Sequence, residues 1–280
     1  MLIRSLRTIP PSFVLVLLFL SFLGWHLSHG PTHEDLPSPP PAPVEAEPKK
    51  PRIAIVTFVT EQRSYLHLSL KNHDHYARRH GHDFIVDYEA HTDRAVVYWK
   101  FNMLERLIKS RKYDWIWWLD FDTLVTNTGI RVTDIMEEEL RQVERPDEVD
   151  YLFTEDCNGL NLGSFIVRGH ERSLDMLHDA WAVHDEAKTK EVNMSEQDAL
   201  VKLMKGDKYT GKFHVVPQHK LNAFPEEIPC YQEGEKVWEH GAFILHFAGA
   251  WAHVKSDDPT GGLMKKYESE IMWGDWKDFY

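Results

Sequence analysis

Asp120 and Asp122, separated by Phe121, are the residues whose type and spacing most directly suggest chemistry. They follow immediately on Trp115-Ile116-Trp117-Trp118-Leu119, five bulky apolar residues without polar alternation. That run is too short for an isolated helix and reads as a strand buried on both faces, as in the middle of an α/β sheet. On an extended segment successive side chains point to opposite sides, so the two carboxylates would share one face and Phe121 would take the other. A strand ending near Leu119 puts both at its carboxyl edge, where open α/β sheets generally hold ligands. Like charges in that position repel unless a cation lies between them or one stays protonated, and a divalent ion is the common solution. Asp-x-Asp also arises by chance as two solvated carboxylates in a turn, so the metal-clamp reading needs support from elsewhere in the chain.

The surrounding elements supply a frame for the pair. A strand is expected over 53–59, with Thr57 and Thr60 towards its carboxyl edge, then a helix over 64–80 stopped by Gly81. A second strand over 83–88 and a helix over 99–112, with Phe101, Leu104, Leu107 and Ile108 on one stripe, lead into the strand at Trp115. This alternation is that of a parallel sheet with crossover helices, the kind of half-domain that holds a nucleotide. Neither G-x-G-x-x-G nor G-x-x-x-x-G-K-[ST] occurs, so a bound diphosphate would have to be held by metal and side chains. His67, His73, His75, His80 and His82 are spread around a helix and its following loop and do not converge.

Further along, a strand over 151–154 runs into Glu155-Asp156-Cys157-Asn158-Gly159-Leu160-Asn161-Leu162-Gly163, whose glycines and asparagines predict a tight irregular turn. Gly163 there would either let backbone approach a ligand or belong to an ordinary loop. Helices are expected over 170–184 and from Ser195 onward, with Ser195 as N-cap and Asp198 as its acidic third residue. Strands are expected over 213–216 and 243–247, the second carrying His246 inside an apolar run, the usual setting of a satisfied core histidine.

The chain has 280 residues with 32 Lys+Arg against 44 Asp+Glu, a formal charge of -12, which argues against a nucleic-acid partner. Cys157 and Cys230 fit no zinc pattern; they either pair in an oxidising lumen or remain two free buried thiols. At the N-terminus Arg4 and Arg7 precede an apolar run that, taken over 11–27, approaches the roughly 17 residues needed to cross a bilayer. Charge on its amino side orients the bulk of the chain to the lumen. Cleavage after Ser28-His29-Gly30 would leave Pro31 at the cut, which favours an uncleaved anchor over a signal peptide. Residues 31–51 are proline-rich and nearly devoid of large apolar side chains, an extended spacer. The expected organisation is a cytosolic tail (1–10), a transmembrane signal anchor (11–27), a stem (28–51) and one globular catalytic domain (52–280).

With these residues in view, the chain from about 53 to 254 resembles glycosyltransferase family 34, the fungal α-1,2-galactosyltransferases and α-1,6-mannosyltransferases with the related plant xyloglucan xylosyltransferases. The matching stretches occur in the family's order: Trp115 to Asn127, Gly159-Leu160-Asn161-Leu162-Gly163-Ser164-Phe165, Glu196-Gln197-Asp198-Ala199-Leu200, Val216-Pro217-Gln218 with Leu221-Asn222-Ala223, and His246-Phe247-Ala248-Gly249-Ala250-Trp251. The resemblance implies a GT-A, Rossmann-like α/β fold and retaining transfer of a hexose from a nucleotide sugar to a glycan acceptor by a type II, single-pass Golgi membrane protein, acting alone or in a Golgi complex. It makes Asp120 and Asp122 the metal-binding pair and His246 the third protein ligand, with Mn2+ (or Mg2+) as the ion. It assigns Glu196 and Gln197 to the reacting sugar, Thr57, Lys100 and Phe121 with the two aspartates to the donor, and Asp156, Asn161 and Gly163 to the sugar and acceptor cleft. Ala250 and Trp251 depart from the cysteine and, in plants, lysine of other members; the tryptophan favours GDP-mannose or UDP-galactose over a xylosyl donor. Two rival readings remain. Asp120-Phe121-Asp122-Thr123-Leu124 also fits the nucleophile motif of haloacid dehalogenase-like phosphatases, although Asp257-Asp258 does not close a hydrophobic strand as that fold requires. The other is a non-catalytic, membrane-anchored carbohydrate-binding protein.

Overall fold

The computed structural model describes residues 10–28 and 50–280. The chain divides into two units, Met1–Lys49 and Lys50–Tyr280. In the first, helix α1 (Pro11–Ser28) is 18 residues long, about 27 Å at 1.5 Å per residue against a hydrocarbon core of about 30 Å. Among the described residues no helix is long and apolar enough to cross a membrane. Nearly all of the expected cytosolic tail and stem lie outside the described residues.

The second unit is built on six strands in the order β2-β1-β3-β6-β5-β7. These are β1 (Ile53–Phe58), β2 (Asp83–Asp87), β3 (Trp115–Leu119), β5 (Tyr151–Asp156), β6 (Gly159–Arg168) and β7 (Phe213–Val215). Helices α2 (Leu66–His80) and α3 (Trp99–Ser110) make the expected crossovers, and β1 is parallel to both β2 and β3. Beyond β3 the expectation of a parallel sheet fails. β6 runs antiparallel to β3 and to β5, while β5 is parallel to β7. The reason is the stretch expected to be an irregular turn. Only Cys157 and Asn158 separate β5 from β6, and a two-residue connection can join antiparallel strands alone. Gly159, at φ +100°, supplies the backbone the turn needs. Residues 160–167 are then buried throughout, so pairing with β5, and with β3 from Ser164 onward, overrides the turn preference of Asn161 and Gly163.

The run at 115–119 is apolar throughout because both faces are covered. Ile116 and Trp118 pack with Phe101, Leu104 and Leu107 of α3 and with Leu177 of α5 (Leu174–Thr189). Trp115, Trp117 and Leu119 pack on the other side with Tyr76 and Ala77 of α2 and with Val132 and Ile135 of α4 (Val132–Leu140). A separate antiparallel pair, β4 (Thr123–Val125) and β8 (Ile244–His246), stands beyond the carboxyl end of β3. Around it Leu124, Phe224, Leu245, Phe247, Leu263 and Met264 form a third apolar cluster, to which α8 (Ala250–His253) and α9 (Pro259–Tyr267) contribute. The remaining helices are α6 (Glu196–Met204) and the short α7 (Gln218–Leu221).

Candidate active site

The ladder of β3 extends one residue past Leu119, the Asp120 backbone N–H donating to the Gly163 carbonyl at 2.6 Å. The chain then turns, with the Thr123 hydroxyl donating to the Asp120 carbonyl at 2.8 Å, and β4 begins. The two carboxylates are therefore brought together by a turn and not by alternation along an extended strand, which corrects the expected geometry. Phe121, expected on the donor, accepts at its carbonyl from the Ser69 hydroxyl at 2.7 Å, and its ring lies 5.2 Å from that of Tyr65. Tyr65 also lines a cavity of about 620 Å3 with Ser64, His67, Asp258, Gly261 and Lys265.

The β4–β8 register does the rest. Thr123 pairs with His246, and the Phe247 N–H donates to the Asp122 carbonyl at 3.0 Å. His246 Nε2 consequently lies 3.3 Å from Asp122 Oδ1, and ligand atoms from Asp120, Asp122 and His246 all fall within 4.8 Å of one another. Two carboxylates and an imidazole converging from a turn and a strand form a donor set suited to Mn2+ or Mg2+. Burial alone would raise the pKa of Asp122, but the neighbouring imidazole outweighs it and holds the carboxyl below its usual range. Burial likewise opposes charge on His246, and Asp122 reverses the effect, leaving its pKa raised. For Tyr65, burial and then Asp122 push the hydroxyl up to about 12.

Beneath the pair, Lys100 is buried with its ammonium 3.0 Å from Glu196 and 3.6 Å from Asp120, and it donates to the Leu162 carbonyl at 3.3 Å. Burial works against this cation, yet Asp120 and then Glu196 more than offset it and raise its pKa. Lys100, expected on the donor, is thus engaged by two carboxylates of the protein. Glu196 and Gln197 open α6 behind a Ser195–Asp198 capping box, as the sequence predicts. The Gln197 Oε1 accepts from the Leu162 N–H at 3.0 Å, holding the helix start against β6. Thr57 is fully buried at the end of β1, its hydroxyl oxygen without a hydrogen-bond partner among the described residues.

Gly163, expected near the sugar and acceptor, makes room for His246. A Cβ built on it would sit 2.0 Å from Cε1 of His246, so the imidazole occupies the space a side chain would need. Asn161 donates to Asp156 Oδ2 at 2.7 Å, and its own Oδ1 accepts from the Gly163 N–H at 2.8 Å. Two residues carry more of the site than the sequence indicated. One is Tyr65. The other is Asn222, within the Leu221-Asn222-Ala223 stretch that gave order to the resemblance but no role; its Oδ1 lies 2.8 Å from His246 Nδ1. Cys157 and Cys230 form a disulfide, which settles the choice between paired and free thiols.

Residues 49–257 match the sequence profile of the galactosyl transferase GMA12/MNN10 family, glycosyltransferase family 34. The chain belongs to this family. Among family 34 relatives, an α-1,2-galactosyltransferase described as uncharacterized, from Schizosaccharomyces pombe, is 30% identical over 67% of this chain and 56% of its own length. A probable xyloglucan 6-xylosyltransferase 3 of Arabidopsis thaliana is 33% identical over 66% of this chain and 46% of its own. The probable α-1,6-mannosyltransferase MNN10 of Saccharomyces cerevisiae is 26% identical over 71% and 62%. The chain spans about half the length of these relatives. A glycosyltransferase involved in glycosylation of the major capsid of PBCV-1 superposes with a TM-score of 0.59 over 77% of this chain and all of its own, at 18% identity, a likeness of fold consistent with a GT-A-like architecture. Asp258, one of the acidic pair the phosphatase reading would need, caps α9 outside the sheet.

Proposed function

We propose that this family 34 chain is a metal-dependent, retaining hexosyltransferase that moves mannose or galactose from GDP-mannose or UDP-galactose to a glycan acceptor. The observation that carries the reading is the convergence of Asp120, Asp122 and His246 at the carboxyl end of the central strand. Bound there, Mn2+ or Mg2+ would offset charge that builds on the departing nucleoside diphosphate as the glycosidic bond breaks. The chain's own residues orient the reactants. Asp120 is fixed by the Trp118 indole N–H at 2.7 Å and by Lys100, so its second oxygen is the one free to face the ion. Glu196 and Gln197, at the end of a helix anchored to β6, face the sugar, while Asp156 and Asn161 line the acceptor side. Neither Glu196, paired with Lys100, nor Gln197, holding the Leu162 N–H, is free as a nucleophile, which favours front-face attack with the departing phosphate taking the acceptor proton. We place the catalytic unit in the Golgi lumen behind an N-terminal anchor formed by residues 11–27, a setting in keeping with the disulfide.

The test offers the full chain in detergent GDP-mannose, UDP-galactose and UDP-glucose in turn, with and without Mn2+, and measures release of the nucleoside diphosphate. One of the first two should turn over only with the metal. Asp122→Asn, which removes one anionic ligand while keeping the side chain's shape, is expected to reduce that turnover at least 100-fold with the far-ultraviolet circular dichroism unchanged, about 2.7 kcal/mol of transition-state stabilisation. Undiminished turnover in Asp122→Asn would remove the metal assignment.

A further inference from the structure

The buried amide of Asn222 has its orientation dictated from one end. The Gly163 backbone N–H can only donate, so the Asn161 side-chain atom it meets at 2.8 Å is the oxygen; the Asn161 amino group then donates to Asp156 Oδ2 at 2.7 Å. That same Asn161 oxygen lies 2.9 Å from Asn222, which must therefore present its NH2 to it and, at 2.8 Å, to the Thr154 hydroxyl. Flipping the Asn222 amide would set two oxygens against each other in a site with no exposure at Asn222. The atom left facing His246 Nδ1 at 2.8 Å is thus an oxygen, an acceptor only. His246 Nδ1 must carry hydrogen, and in the neutral ring the lone pair is left on Nε2, the atom directed at Asp122.

We propose that Asn222 is a positioning residue that holds His246 as its Nδ1–H tautomer, so that Nε2 is presented as a ligand, and that the polarity of this relay is set by the Gly163 backbone N–H. Outer hydrogen-bond partners of this kind fix a ligating imidazole's tautomer and ring orientation, and their loss typically weakens metal affinity by about 10–100-fold. The inference rests on the reading of His246 as a metal ligand. It also accounts for the close contact at Gly163, since one residue supplies both the N–H that orients the relay and the space in which the imidazole lies.

The test titrates Mn2+ alone against the 280-residue chain, following loss of the free-ion signal by electron paramagnetic resonance, in wild type, His246→Ala, Asn222→Leu, Asn222→Asp and Thr154→Val. Asn222→Leu keeps the shape and removes the acceptor, and is expected to bind Mn2+ at least 10-fold more weakly. Asn222→Asp keeps an acceptor for His246 while losing both donations to Asn161 and Thr154, and is expected to stay within about 3-fold of wild type, as is Thr154→Val, which loses the far contact to Asn222 and the hydroxyl's own donation to the Asn161 carbonyl at 3.2 Å but leaves the oxygen facing His246. A purely structural Asn222 would show the reverse, with Asn222→Asp and Thr154→Val impaired alongside Asn222→Leu. Wild-type affinity in Asn222→Leu, or loss of affinity in folded Asn222→Asp, overturns the proposal. Should wild type and His246→Ala bind Mn2+ equally, it is the metal reading that fails, and the relay with it.

Discussion

At the scale of single residues, the site depends on one missing side chain as much as on those present. Alanine at position 163 would place a methyl group 2.0 Å from His246 Cε1, far inside contact distance, and the imidazole is buried with little room to retreat. The ring cannot keep the position from which Nε2 meets Asp122, so Gly163→Ala should weaken Mn2+ binding at least 10-fold while circular dichroism reports an intact fold. Unaltered binding would mean that His246 does not ligate from this position. A second residue, with His80 and His82, contributes to acid sensitivity. His73 is wholly buried, Nε2 against the Thr123 hydroxyl at 3.0 Å, and burial pushes its pKa from 6.5 down to about 4. The unfolded chain therefore binds a proton that the folded chain refuses. The stability this group contributes is complete above about pH 6.5 and is lost as pH falls towards 4, at a slope of up to about 1.4 kcal/mol per pH unit. Urea melts across that window should show a flatter pH dependence for His73→Gln than for wild type, even though the variant starts less stable at neutral pH. Parallel slopes would contradict the assignment.

At the scale of elements, the first half of the sheet was legible because its signals are local. Five apolar residues at 115–119, the helical stripe at 101–108 and Gly81 as a helix stop each follow from periodicity or a single special residue. The second half was not. Gly159 to Gly163 has the composition of a turn and the structure of a largely buried strand, since what decides it is pairing with β5 and, at the Gly163 carbonyl, the Asp120 N–H, and such partners are invisible in a local window. The same limit applied at the site. Sequence identified Asp120, Asp122 and His246 as candidates, yet the turn after β3 and the β4–β8 register that join them are non-local, as is the Lys100 ion pair with Glu196. The β5–β6 hairpin is also held from outside. Cys157 is bonded to Cys230 across 73 residues of chain, and the Asn158 amide reaches Cys230 Sγ at 3.3 Å. Closing a loop of that length in the unfolded chain is worth about 4 kcal/mol on the chain-entropy account. The double variant Cys157→Ser/Cys230→Ser should unfold at a correspondingly lower urea concentration. If its midpoint matches that of the oxidised wild type, the crosslink contributes nothing to the fold.

At the scale of the whole molecule, the two units differ in the apolar surface they expose. Residues 50–280 bury most of their large apolar side chains in three clusters, Trp251 and Trp276 being exposed exceptions, and carry most of the chain's excess of acidic groups. Helix α1 does the opposite: Phe13, Leu15, Leu17, Leu18, Phe19, Leu20, Phe22 and Leu23 are exposed and cover its whole circumference. A helix apolar all round cannot be satisfied by packing one stripe on a core. Its length of about 27 Å falls short of a typical hydrocarbon core by roughly two residues, so α1 would span a bilayer only with local thinning or with the help of flanking residues. The anchor reading therefore predicts a clean separation of behaviour. The full chain should enter the detergent phase in a cloud-point partition with Triton X-114, while a fragment of residues 50–280 should stay in the aqueous phase with the circular dichroism and Mn2+ affinity of the full chain. A full chain that remains aqueous would leave α1 as something other than an anchor. A fragment that aggregates would show that residues 50–280 do not form an independently soluble unit.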